Sequence, residues 1–201
     1  MSYLERTMDD NEMLVLEIRG NDKRNFNNRV NDQTVILLAS ALEPFAFYIE
    51  DVDLRFNEIT DDGAQALAEL IAKSPRLMGL NLQGNSIKSD GAQCLADALK
   101  VCLNLQYLNL NGNKIKTNGA MVVTELLFTH DKLLSLNLGN NKMDHDGVIG
   151  ILSVLNSSNY TLEELNIENP VYKTICQSVA IHFGKMFQNN VGLQKISMRK
   201  H

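Results

Sequence analysis

A 23-residue pattern that recurs without a gap constrains the fold of this chain more than any other feature of its sequence. The four regular copies are 28 residues apart and begin at Ile49, Leu77, Leu105 and Leu133. Less regular copies occupy both ends of the chain and begin at Met13, Leu162 and Leu193. A fixed period in the twenties is typical of solenoids, in which each repeat buries its apolar face only against its neighbours.

Each copy combines a short alternating segment with a longer segment of helical spacing. Leu80 and Leu82 lie on one side of a predicted strand and Asn81 on the other, because successive strand residues point to opposite faces. Farther along the same copy, Ala92 and Leu95 begin an apolar series with the spacing of one helix face. The helices are expected to be capped by the Asx residues that precede a glycine: Asp62, Asp90, Asn118 and Asp146.

An asparagine follows the strand at the same place in five copies, namely Asn21, Asn57, Asn85, Asn113 and Asn141. A side-chain amide can both donate and accept hydrogen bonds. Stacked turns could therefore share a series of side-chain to backbone hydrogen bonds. We predict that these residues form a structural asparagine ladder and take no part in catalysis.

These patterns predict an α/β solenoid in the shape of a horseshoe arc, with a parallel sheet on the concave face and helices on the convex face. Residues 1–12 are read as a polar N-terminal segment and residues 13–201 as an array of about seven repeats. The array is regular at 49–160 and degenerate at both ends. A polar loop interrupts it after Asn21, and Pro170 breaks the ladder. No C-terminal cap is recognised, so the last strand is expected to need a further repeat or a partner.

The LxxLxLxxN pattern resembles the leucine-rich repeats of the ribonuclease-inhibitor type over about residues 13–201. That resemblance implies an α/β horseshoe without enzyme activity. The segment VDLRFNEITDDGA, the Asn169–Pro170 break and the tail IHFGKMFQNNVGLQKISMRKH are similar to the leucine-rich repeat-containing protein 34 family. This closer resemblance covers the N-terminal half of such proteins and implies a link to ciliated and germ cells, to axonemal assemblies or, alternatively, to the nucleolus.

Charge and composition argue against several classes of function. The net charge of −5 does not suit a protein that binds nucleic acid through its phosphates. The three cysteines form no CxxC pair, and no signal peptide or membrane span is recognised, so we expect an intracellular, cytoplasmic protein. No catalytic, phosphate-binding or metal-binding motif is found, and no cofactor, metal or small-molecule substrate is expected. Cys102 aligns with Ser74 and His130 near a helix end, where it could be exposed.

The outward strand positions define the candidate partner-binding surface, which we call the concave face. Its residues are Asp51, Asp53, Arg55, Asn81, Gln83, Tyr107, Asn109, Asn111, Ser135, Asn137, Glu164 and Asn166. The centre of this surface is rich in amides, and Tyr107 is the one large aromatic residue near its middle. Aromatic side chains are favoured anchors in protein interfaces.

Together these features predict a non-catalytic protein-protein interaction scaffold within a large intracellular assembly, with axonemal or cytoskeletal partners. The main alternative is a regulatory binding module, either of the GTPase-activating leucine-rich-repeat type or a nucleolar factor in the nucleus. An actin-end binder is a third hypothesis, although the actin-binding helix that accompanies such repeat domains is not recognised here.

Overall fold

The structure, a computed structural model, describes residues 13–21, 29–171 and 176–199. The described strands are β1 (Leu14–Glu17), β2 (Ile49–Asp53), β3 (Gly79–Asn81), β4 (Tyr107–Asn109), β5 (Ser135–Asn137), β6 (Glu164–Asn166) and β7 (Lys195–Ser197). The described helices are α1 (Asp32–Leu42), α2 (Asp61–Ile71), α3 (Ser89–Leu99), α4 (Lys116–Thr129), α5 (His145–Ser157) and α6 (Gln177–Asn189). The predicted segment 1–12, most of the polar loop after Asn21, and residues 172–175 of the loop after Pro170 lie outside the described residues.

The strands form one open parallel sheet whose spatial order, β1 to β7, is the order of the chain. Equivalent residues are paired, so Leu108 lies between Leu80 and Leu136. Each helix packs against the helix of the next repeat. Because a helix is about 10 Å wide and parallel strands are about 4.8 Å apart, the helical layer is the longer one. The sheet therefore lines the concave side of the arc.

The hydrophobic core fills the space between the sheet and the helices. Leu80 and Leu82 are 2% and 0% exposed, as expected for inward strand positions. The predicted apolar helix face is buried in all four regular repeats, from Ala64 in α2 to Leu155 in α5. Leu16 and Ile196 are only half-buried, because each has a neighbouring repeat on one side only among the described residues. Burial is thus shared between neighbouring repeats, as the period predicts.

Four of the five predicted asparagines form the asparagine ladder. The amide of Asn113 donates to the carbonyls of Leu82 and Leu110, both at 2.9 Å, and its oxygen accepts from the backbone of Ile87 at 3.1 Å. Equivalent sets of bonds are made by Asn57, Asn85 and Asn141. Asn21 is exposed and makes no ladder bond among the described residues, and residues 22–28 of its turn lie outside them, so its place in the ladder stays a prediction.

The predicted helix caps are also wrong, because each helix begins before the Asx-Gly pair. Helix α3 begins at Ser89, and Asp90 lies in its first turn. Its cap comes instead from the preceding helix: a carboxylate oxygen of Asp61 accepts from the backbone of Lys88 at 2.7 Å and of Gly91 at 3.1 Å. A side chain at Gly91 would collide with that oxygen, which explains the glycine. Asp32 caps α2 in the same way, whereas α5 is capped locally by Asp144.

A second series of polar residues, which sequence reasoning missed, follows the helices. We call it the helix-end ladder, and it consists of Ser74, Cys102, His130, Asn159 and Asn190. His130 contacts the carbonyl of Leu99 through Nε2 at 2.8 Å, and Asn159 donates to the carbonyl of Leu127 at 2.8 Å. These bonds give further partners to carbonyls at the end of a helix, where the helix itself supplies too few. The signal was present in the sequence as a column of hydrogen-bond donors at nearly constant spacing.

Cys102 is therefore a structural residue, and the expectation that it could be exposed is wrong. Its side chain is fully buried and donates to the carbonyl of Ile71 at 3.4 Å in the preceding repeat. Burial raises the pKa of the Cys102 thiol to about 11. The thiolate, which is the reactive form of cysteine, is consequently scarce at neutral pH.

Candidate functional site

Parallel pairing arranges the outward residues of the concave face in rows across the sheet. One row runs through Asp51, Gly79, Tyr107, Ser135 and Glu164. The next row runs through Asp53, Asn81, Asn109, Asn137 and Asn166. Nine of the twelve predicted surface residues belong to these strands, and the structure brings them together in the register that the repeats predicted. The other three, Arg55, Gln83 and Asn111, each lie two residues after the end of a strand.

The N-terminal half of this surface contains a depression of about 400 Å³. Parts of β1 to β5 line it, among them Val15, Asp51, Gly79, Tyr107 and Asn109. Val15 and Tyr107 are 55% and 52% exposed, so two apolar surfaces border a largely polar floor. Cavities of roughly this size can hold a small molecule or part of a partner's side chains.

Asp53 is held in a network of ion pairs, which sequence reasoning did not predict. One carboxylate oxygen lies 2.8 Å from Nε of Arg19 and 2.7 Å from Nη2 of Arg55. Arg19 also contacts Glu17 at 2.8 Å. Only 12% of the Asp53 side chain is exposed. Asp53 therefore lies at the concave face, but its charge is already compensated by groups of this chain.

Asp51, two residues earlier on the same strand, is in the opposite situation. It is exposed and forms no hydrogen bond or ion pair with the described residues. Partial burial and the negative charges of Glu50, Asp53 and Glu17 raise the pKa of its carboxyl group above the usual value. The Asp51 carboxylate is consequently an uncompensated negative charge at the edge of the depression.

Gly79 determines where the Asp51 carboxylate can lie. A methyl group added at Gly79 would overlap Oδ1 of Asp51, so the carboxylate occupies the space that any other residue would fill with its side chain. Asp51 therefore leans over Gly79 towards β4, where Tyr107 is the next residue in the row. We call the group Asp51, Gly79 and Tyr107 the niche.

The C-terminal half of the concave face is an amide network. Asn109 donates to Gln83 at 3.2 Å, and Asn111 donates to Asn137 at 3.1 Å. Asn166 accepts from the backbone of Glu168 at 2.9 Å. These bonds fix the orientation of the amides but leave other donor and acceptor positions open, since each amide can make up to four hydrogen bonds. Ser135 is half-buried between the two halves, and Glu164 is exposed beside Lys195 at 3.3 Å.

The charge of Asp51 leads to a prediction about stability. Because the folded protein raises the pKa of this carboxyl group above the ordinary value of 3.8, its ionised form destabilises the fold at neutral pH. We expect Asp51→Asn to raise the Tm slightly at about pH 7, and we expect this gain to shrink as the pH falls towards 3.8. Thermal unfolding measured by circular dichroism at several pH values tests this. Glu69→Gln, on the exposed face of α2, is the control. A lower Tm for Asp51→Asn at neutral pH contradicts the prediction.

Neither a metal centre nor a membrane-spanning segment is found in the described part of the chain. Its residues include no group of three or more histidine, cysteine or acidic side chains that could hold a metal ion. Among these residues, moreover, no helix has the length and apolarity needed to cross a membrane.

The chain matches a family described as "Leucine Rich repeat" over residues 46–68, 75–96 and 101–123. Leucine-rich repeats are therefore present, and the parallel sheet with its alternating helices makes the fold an α/β leucine-rich-repeat solenoid. The predicted fold class is thus confirmed. Proteins with such repeats generally mediate protein-protein interactions, and this is the class of protein that the fold defines.

Among solved structures, the chain is similar to leiomodin-1 actin-binding site 2, with a TM-score of 0.58 and 19% identity. The match covers 68% of this chain and 78% of that chain. A plant peptide hormone receptor, RGFR1 in complex with RGF2, matches with a TM-score of 0.37 and 14% identity, over 75% of this chain and 24% of that one. At 19% identity the likeness to the leiomodin-1 structure concerns the fold alone. No curated protein matches the chain.

Proposed function

We propose that this chain is a non-catalytic scaffold that binds another protein through its concave face. The observation that carries the proposal is the depression beside Asp51 and Tyr107. An exposed aromatic ring and an unpaired carboxylate do little for the stability of the free chain, because neither is buried against it. Both are features of protein interfaces, where an aromatic anchor next to polar groups contributes much of the binding energy.

We further propose that the partner belongs to a large intracellular assembly in the cytoplasm, with the axoneme of a cilium or flagellum as the leading candidate. This part rests on the resemblance to the leucine-rich repeat-containing protein 34 family. Cytoskeletal proteins are the partner class to test first. Leiomodin-1 carries a named actin-binding site on a similar fold, so co-sedimentation with actin filaments belongs in the first set of assays.

The test is partner recovery from ciliated cells that express the full chain fused to a proximity-labelling enzyme. We expect the double variant Tyr107→Ala, Asn109→Ala to lose about tenfold in labelling of its specific partners, because two central contacts of about 1 kcal/mol or more are removed. The matched control is Gln65→Ala, Glu69→Ala on the exposed face of α2. If the control loses the partners and the concave variant keeps them, the binding surface is the convex side and the proposal is wrong.

The location of the protein within the same ciliated cells is a second test. Fluorescence of the tagged chain along axonemes supports the proposed assembly, whereas accumulation in nucleoli favours the nucleolar alternative. A GTP hydrolysis assay with the purified chain and the recovered partner addresses the GTPase-activating alternative. If the chain accelerates GTP hydrolysis and a single substitution in it abolishes that acceleration, the protein is a regulatory module and the scaffold proposal is wrong.

A further inference from the structure

The niche differs from the rest of the concave face in its chemistry. Its residues lie on three neighbouring strands, so about 10 Å of sheet separates Asp51 from Tyr107. The middle position is Gly79, and because it has no side chain the Asp51 carboxylate lies over it, next to the position of Tyr107 in the row. The niche is therefore a short slot with a negative charge at one end and an aromatic ring at the other.

The charges around the slot select the kind of group that fits it. Asp53 is paired with Arg19 and Arg55, so it offers little to a ligand. Asp51 has no partner among the described residues, and the nearby acidic groups Glu17 and Glu50 add to the negative potential. Tyr107 contributes the electron-rich face of an exposed ring. A cation that is flat enough to stack on the ring is complementary to both ends.

We propose that the niche binds an arginine side chain of the partner protein, with the guanidinium paired to Asp51 and stacked on Tyr107. Arginine fits better than lysine because a planar guanidinium can donate two hydrogen bonds to one carboxylate while its face lies on an aromatic ring. Lysine presents a compact and strongly hydrated charge that satisfies only the first contact. This inference rests on the proposed function, since it names the chemistry of the partner at the same surface.

The depression gives the arginine room to enter. Its volume of about 400 Å³ extends from Val15 to Asn137, well beyond the three residues of the niche. The amides of Asn81 and Asn109 lie in the neighbouring row and face the same space. They can bind the backbone of the segment that carries the arginine, because amides accept and donate without requiring a particular sequence.

A probe that contains only the proposed group tests the niche directly. N-acetyl-arginine amide is titrated into the isotopically labelled full chain, and backbone chemical shifts are followed by NMR. The citrulline analogue has nearly the same planar shape but no charge. The lysine analogue is charged, but its ammonium group is not planar. We expect shifts centred on Asp51, Gly79 and Tyr107, with millimolar affinity for the arginine probe, since one side chain supplies only a few contacts. The lysine probe is expected to bind several-fold more weakly.

Three single-substitution variants show which residues bind the arginine probe. Asp51→Asn keeps the size of the side chain and removes its charge, and it is expected to weaken arginine binding at least tenfold. Tyr107→Leu is expected to weaken it about threefold to tenfold through the loss of stacking. Glu69→Gln is the matched control, because it removes an exposed carboxylate from α2, outside the concave face, and it is expected to have no effect.

Several outcomes overturn the inference. They are equal binding of the citrulline probe, shifts centred away from the niche, and unchanged binding by Asp51→Asn when its NMR spectrum shows an intact fold. Partner recovery then separates this inference from the proposed function. If Tyr107→Ala, Asn109→Ala loses the partner and Asp51→Asn retains it, the concave face binds a protein but the niche does not bind arginine. If neither variant loses the partner, the proposed function itself is wrong.

Discussion

Leu110→Asp is expected to destabilise the protein by about 4 kcal/mol or more and to unfold several repeats together. Leu110 follows β4, is 2% exposed, and lies in the core between the sheet and the helices. A carboxylate at this depth has no charged partner, and burying an unpaired charge costs several kcal/mol. Because neighbouring repeats share their interfaces, the loss cannot be confined to one repeat. Chemical denaturation followed by circular dichroism measures the change in the free energy of unfolding.

The control for this variant is Asn109→Asp, one residue earlier in the chain. Asn109 is half-buried at the concave face and donates to Gln83 at 3.2 Å. Gln83 can rotate its own amide and donate to the new carboxylate, so we expect a loss of less than about 1 kcal/mol. Equal destabilisation by the two variants would contradict the structure, in which Leu110 faces the core and Asn109 faces the concave surface.

Asn113→Asp is expected to lower the free energy of unfolding by about 3 kcal/mol, although it changes the volume of the side chain very little. Asn113 is 3% exposed, and its amide donates to two strand-end carbonyls while its oxygen accepts from Ile87. An aspartate keeps the acceptor but places a negative oxygen against the carbonyls of Leu82 and Leu110. Unpaired buried polar groups cost about 1–3 kcal/mol each, and more when they are charged.

Asn118→Asp provides the comparison, because Asn118 is exposed in the first turn of α4. A negative charge near the N-terminus of a helix is favourable by a few tenths of a kcal/mol, so this variant is expected to be neutral or slightly stabilised. Thermal and chemical denaturation of both variants measure the change in the free energy of unfolding. A loss of less than about 1 kcal/mol for Asn113→Asp would show that the asparagine ladder contributes little to stability.

The two large effects have a common cause, which is the repeat itself. The strand-end carbonyls of Leu54, Leu82 and Leu110 each accept from the asparagine of their own repeat and from that of the next repeat. One asparagine therefore connects two repeats. A substitution at one position therefore also destabilises the neighbouring repeats, because they share its hydrogen bonds and its core contacts.

The sequence alone was sufficient for the fold class and for the composition of the concave face. The constant period makes Asp51, Gly79 and Tyr107 equivalent positions of successive copies, and equivalent residues of stacked repeats pair in one row. Alternation within each strand separated the buried leucines from the outward amides. Local patterns of this kind are reliable here because they are repeated, and an error in one copy would contradict the others.

Only the tertiary structure decided how side chains in neighbouring repeats use one another. The sequence pattern assigned the caps to Asp62 and Asp90, yet α2 and α3 are capped by Asp32 and Asp61 from the preceding helices. The sequence likewise placed Asp53 on the concave face, and the fold pairs it with two arginines. Apart from the pair of Asp53 and Arg55, these contacts join residues that lie about one repeat apart in the chain. The period fixes which residues are neighbours, but the direction in which each side chain turns follows from the packed surroundings.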